Sequence, residues 1–215
     1  MALHLPRPSF SRCVSALLLV LAPSLHAADA AYTNDFEKAE VGKLPENVMV
    51  LSGDFVVAEE AGHKFLELPG APLETFGLLF GPPQPGDATA AGRFFGTKQG
   101  RKFPAFGLSL GGVSGYRLEM SGAKKALELF KGDESRTTVP FEWQSGTWLH
   151  LRLQLRKAGE NCVIQGKAWA DGTPEPEKWN LTFEEKSPVP PGRAAIWGTP
   201  YAGTPIRYDD LQVGP

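Results

Sequence analysis

Residues 148–157 read WLHLRLQLRK, with Leu149, Leu151, Leu153 and Leu155 at every second position against Trp148, His150, Arg152, Gln154 and Arg156. A period of two marks a β-strand with one buried face, because successive side chains leave an extended backbone on opposite sides. The leucines therefore belong to a core. The other side is dense in planar hydrogen-bonding groups, and its use is the question the rest of the chain has to answer.

The same grammar continues along the sequence. From Tyr32 to Val213 the chain divides into short strand-like pieces, among them NVMVLS (47–52), FGLLF (76–80), GYRLEMS (115–121), KALELFK (125–131), CVIQGKAW (162–169), RAAIWG (193–198) and IRYDDLQV (206–213), with Gly, Pro, Asp and Ser at nearly every junction. Many short strands at regular spacing, without one amphipathic helix, predict an all-β fold: a two-sheet antiparallel jelly-roll sandwich with little or no helix. Pro-rich connections such as FGPPQPGD (80–87), ADGTPEPEKW (170–179) and KSPVPPGR (186–193) are stiff loops.

The first thirty residues stand apart. Arg7 and Arg12 precede an apolar run from Val14 to Ala22, and Ala28-Asp29-Ala30 supplies a small-residue cleavage site, so residues 1–30 are expected to be a signal peptide and the protein to be secreted or periplasmic. The run is too short for a membrane-spanning helix. Cleavage after Ala30 leaves 185 of the 215 residues, enough for one domain at 31–215 burying roughly 70 % of its unfolded surface. Removing Arg7, Arg12 and Asp29 from 22 basic and 24 acidic residues leaves 20 and 23, a formal charge of −3. A chain so balanced has no basic field for phosphates, so neither nucleic acid nor a membrane surface is an expected partner, and a monomer is expected. One cysteine remains, Cys162, on the parity of Ile164 and Ala168; it is expected to be a buried, inert thiol.

Parity sorts the polar side chains. If CVIQGKAW pairs with 148–156 through a turn near Ala158–Asn161, one surface collects His150, Arg152, Gln154, Gln165, Lys167 and Trp169. Planar donors beside an indole suit a saccharide, whose hydroxyls take the hydrogen bonds while its apolar ring face lies on the aromatic. A solvated sheet face would show the same alternation. Arg117 and Glu119, the polar side of GYRLEMS, join the candidate set. Trp143, Trp148, Trp179 and Trp197 sit at strand ends beside Gly or Pro, and most of them read as core or rim packing.

These residues resemble a family. SGTWLHLRLQLR (145–156) followed by NCVIQGKAWADG (161–172) is similar to a strand and hairpin of laminin-G-like modules in the concanavalin A-like lectin/glucanase superfamily, and GTPIRYDDLQV (203–213) resembles the last strand of those jelly rolls. With NDFEKAEVGKLPENV (34–48) and GDFVVAE (53–59), the pattern is similar to exported bacterial domains grouped beside family 16 glycoside hydrolases. The resemblance implies a jelly roll with a glycan-receiving face, hence a glycan or polysaccharide partner.

The catalytic signature of such hydrolases, Glu-x-Asp-x-Glu on one strand, is absent. Only His63 and His150 remain after processing and no Gly-x-Ser-x-Gly occurs, which removes a serine triad; one thiol and two distant imidazoles make no zinc site. The reading is a non-catalytic carbohydrate-binding module, with two alternatives: a glycoside-processing enzyme using Glu119, Glu128 or His150 in an atypical arrangement, or an adhesive module that binds protein. Asp209 shares parity with Leu211 and Val213 and is expected to face the interior, where a carboxylate needs a cation or backbone amides. The resemblance implies that Asp209, with Asp35 or Glu37, holds a structural calcium; Arg207, Arg193 or a loop amide could satisfy it instead. No other cofactor is expected.

Overall fold

The structure, a computed structural model, describes residues 1, 32–71 and 74–215. The expected signal peptide lies outside the described residues. Among those described there is no helix and there are fifteen strands, all paired antiparallel.

They form two sheets. The first runs β13 (Leu181–Glu185), β12 (Asn161–Ala170), β11 (Leu149–Ala158), β6 (Ala88–Phe95), β15 (Ile206–Gly214), β4 (His63–Leu68) and β3 (Val56–Glu60). The second runs β10 (Glu134–Pro140), β9 (Ala126–Lys131), β8 (Tyr116–Ser121), β7 (Ala105–Leu110), β14 (Gly192–Thr199), β5 (Phe76–Gln84) and β2 (Val48–Ser52). The eighth strand of the first sheet, β1 (Tyr32–Asn34), pairs with Leu211–Val213 of β15, beyond the stretch Ile206–Tyr208 that β4 occupies. The chain passes back and forth between the sheets, β5 to β6 to β7 and, after the hairpins β7–β10 and β11–β13, β13 to β14 to β15, which is the jelly-roll wiring expected.

The core lies between the sheets. Leu149, Leu151, Leu153 and Leu155 of β11 are fully buried, as are Leu118 and Met120 of β8 and Leu127 and Leu129 of β9. Phe94 of β6 stacks on Phe106 of β7 at 5.7 Å between ring centroids and meets Tyr208 of β15 edge-on at 5.6 Å. The sheets approach closely at Gly166, where a Cβ would lie 2.8 Å from a methyl of Leu118. A side chain there would wedge the layers apart. Cys162 sits in the same core, buried as expected, and burial pushes its thiol up to about 11.

Candidate functional site

The β11–β12 hairpin pairs as the sequence suggested: His150 stands opposite Trp169, Arg152 opposite Lys167 and Gln154 opposite Gln165. All six project away from the core. Their polar groups are largely engaged with one another and with the 171–180 loop. The His150 ring lies flat on the Trp169 indole, 4.8 Å between centroids and 5° between planes, and its Nε2 contacts the Asp171 carboxylate at 2.8 Å. Glu175 bridges Arg152 at 3.0 Å and Lys167 at 2.5 Å. Lys167, 7 % exposed, also donates to the Pro176 carbonyl and lies over the Trp179 ring. Gln154 donates to Thr89 and Gln165 to Thr182. One face of the Trp169 platform is therefore covered by an imidazole.

Asp209 corrects the parity argument. The β15–β6 register slips between Asp209 and Gln212, and Asp210 has a left-handed backbone, φ 48°. This bulge inverts the alternation, so Tyr208 and Leu211 enter the core while Asp209 turns to the outer side opposite Arg93. It is nonetheless fully buried: Arg93 and His63 contact one carboxylate oxygen, and the Asp210 amide donates to the other at 2.8 Å. Burial pushes this carboxyl above the usual range, and Arg93 opposes that rise. The buried acid thus has its cation, but the cation is Arg93 rather than Arg207 or Arg193. Glu37 reaches Asp209 only through His63, 2.6 Å from Nδ1, while Asp35 accepts the Glu37 amide in a turn. This arrangement does not fit a calcium ion, because a guanidinium and an imidazole occupy one oxygen of Asp209 and a backbone amide the other. Among the described residues no group of three or more His, Cys, Asp or Glu side chains could hold a metal.

Arg117 and Glu119 are not on this surface. They lie on β8, in the other sheet, and project from the opposite face of the sandwich. There Trp197 of β14 has Gly107 and Gly77 as its cross-strand neighbours. The indole lies over Gly77, where a Cβ would be 2.7 Å from a ring carbon, and its N–H donates to Ser109 at 2.8 Å. Only glycine leaves room for a ring laid across the strand. The Arg117 guanidinium is held between two aromatic rings, 4.9 Å from Phe130 and 5.5 Å from Trp197, and contacts Glu119 at 3.1 Å. Trp197 and Arg117 line a groove of about 400 Å³ with Thr75, Val113, Ser114, Gly132 and Asp133. Beside it Glu119 stands opposite Glu128, which is paired with Lys124. Burial pushes the Glu119 carboxyl up; Arg117 opposes this and Glu128 adds to it.

The fold thus separates Arg117 and Glu119 from His150 and Arg152, and sets beside the first pair Phe130, Asp133 and Trp197, the last expected only to pack. A signal for Trp197 was present: it shares parity with Ala195 against the buried Ile196, so it had to point outward. Of the other three tryptophans assigned to packing, Trp143 meets Phe106 edge-on in the core, Trp148 lies under Arg93 and Trp179 under Lys167.

No protein-family model matches the sequence, and no curated protein is similar to it in sequence. Solved structures are similar in fold. The carbohydrate-binding module CBM66 from Bacillus subtilis superposes with a TM-score of 0.54 at 12% identity over 79% of this chain and 96% of that one. The metal-free Emp46p carbohydrate recognition domain gives 0.58 at 14% identity over 85% and 95%. Each spans nearly the whole relative. The fold is a concanavalin A-like jelly roll. The same jelly roll is found in a Bacillus licheniformis β-glucanase, with a TM-score of 0.54 at 9% identity over 87% and 99%.

Proposed function

We propose that this protein is an exported carbohydrate-binding module, a non-catalytic monomer, and that a neutral glycan lies in the groove over Trp197. The observation that carries this reading is the indole spread over Gly77 beside an arginine clamped between two rings. An apolar platform with a few fixed polar groups is the composition of a saccharide site: the C–H face of a pyranose packs on the ring while Arg117, Asp133, Ser114 and Thr75 offer partners to its hydroxyls. Arg117 is pre-ordered by its two rings and by Glu119, so little side-chain freedom is lost on binding. Fold relatives that include a carbohydrate-binding module and a carbohydrate recognition domain support the reading. Titration with soluble β-glucan and xylan tests it. Trp197→Ala should weaken binding at least about tenfold, the loss of roughly 1.4 kcal/mol; unchanged affinity would move the site elsewhere.

One observation favours a hydrolytic alternative. Glu119 and Glu128 are directly opposed on neighbouring strands, a position that puts Cβ atoms roughly 4.5–5.5 Å apart, and retaining glycosidases use carboxyl pairs about 5–5.5 Å apart. Against it, each acid is held by its own cation and neither lines the groove. Release of reducing ends from β-glucan, abolished in Glu128→Gln, would establish hydrolysis in place of simple binding.

A further inference from the structure

We infer that the opposite face of the sandwich holds a second saccharide site, a trough across β12, β11, β6, β15 and β1, so that the module is bivalent. The inference rests on the glycan-binding reading and extends it to residues that reading does not use. Arg152, Ala91, Gln212 and Thr33 are aligned across four neighbouring strands by their register. Ala91 is the short member of that row. Its methyl leaves a depression of about 80 Å³ walled by His150, Arg152, Trp169, Asp210 and Gln212. A recess of about 380 Å³ lined by Thr33, Asn34, Asp35 and Lys38 shares Asp210 and Gln212 with it. The two adjoin at Asp210 and Gln212, and four strand spacings make the row they follow about 19 Å long, a length for an oligosaccharide rather than one sugar.

Its chemistry is that of a hydroxyl-rich, uncharged ligand. The exposed Gln212 amide, on the lining of both depression and recess, offers a donor and an acceptor. The Arg152 guanidinium is fixed in place by Glu175 at 3.0 Å, so it presents its edge to the depression without loss of side-chain freedom. Asp210 is carried to the junction of depression and recess by the bulge and its left-handed backbone, and strain of this kind persists where the surrounding structure enforces it. Its charges are already matched, Asp210 by Arg93 and Arg152 by Glu175, and Asp35 and Lys38 in the recess are of opposite sign, so neither a uronate nor a sulfated chain is favoured. Trp169 supplies an aromatic wall at one end.

The two sites project from opposite sheets, so one module engages two glycan chains and bridges them. Calorimetric titration with a β-glucan hexasaccharide and a xylohexaose should give two sites per chain, and the protein should cloud a solution of high-molecular-weight β-glucan or xylan. Ala91→Leu fills the depression without removing an ion pair, and Gln212→Ala, at an exposed position, carries no folding risk. Each should lower the stoichiometry to one and abolish the clouding, whereas Trp197→Ala should leave one site, now sensitive to Gln212→Ala. One site in the parent protein, lost in Trp197→Ala and untouched by Ala91→Leu and Gln212→Ala, would overturn the second site and leave the first. Two sites indifferent to both β6–β15 substitutions would overturn it as well. Binding to neither polymer would overturn the glycan reading itself.

Discussion

Arg93 is surrounded by three acids: Asp209, Asp210 at 2.8 Å and Asp171 at 3.7 Å. Asp209 is fully buried, so Arg93→Ala would leave a carboxylate without its principal cation, and removing one partner of a buried pair costs about 3–5 kcal/mol. A fall in denaturant midpoint should report it, and Asp209→Asn should lose less because an amide can still bond the remaining partners. Glu185 behaves differently. The Tyr116 hydroxyl at 2.6 Å, then Lys131 at 3.0 Å and Arg136, hold its carboxyl below the usual glutamate value. A depressed folded value adds stability at neutral pH that is lost as pH falls below the ordinary value near 4.5 and through the lowered one. Parent and Glu185→Gln proteins should accordingly differ in Tm at pH 7, with the difference shrinking as pH falls below about 4.5. At this scale much was legible in the sequence. Alternation assigned the polar sides of β11, β12 and β8 correctly, and it failed at Asp209 because one bulged residue reverses every later side chain while leaving no mark in composition.

Strands show where legibility ends. Each of the short pieces read from the sequence became a strand, since period-two patterning and Gly/Pro punctuation are local properties of the chain. Which sheet a strand joins is not local. β8 and β11 carry the same kind of polar side, and only the jelly-roll wiring, set by pairings distant in sequence, sends them to opposite faces; that is why Arg117 and Glu119 were grouped with His150. Within β11, Leu153→Ala should cost about 2–5 kcal/mol, because it opens a cavity between well-packed sheets, and thermal denaturation would measure it. Within β5, Gly77→Ala places a methyl under the Trp197 ring. It should displace the indole and weaken β-glucan binding, with intrinsic tryptophan fluorescence shifting in the absence of sugar.

For the molecule as a whole, cohesion comes from one apolar layer between two sheets, with no disulfide among the described residues. Cys162 is sealed within that layer and its thiol is pushed up to about 11, so thiolate is scarce at neutral pH. An aromatic disulfide reagent at pH 8 should therefore leave Cys162 of the native protein unlabelled and react with it once denaturant unfolds the sandwich; rapid labelling of Cys162 in the native state would contradict this packing. The placement of β1 has a different kind of consequence. Tyr32 lies opposite Val213, so the first and last strands of the jelly roll leave the body side by side. Neighbouring exits let such a unit be spliced into a host polypeptide or circularly permuted with only a short splice. A permutant that joins these ends and opens in the exposed Gly172–Thr173 turn should fold, with the Trp197 groove still clear of the splice.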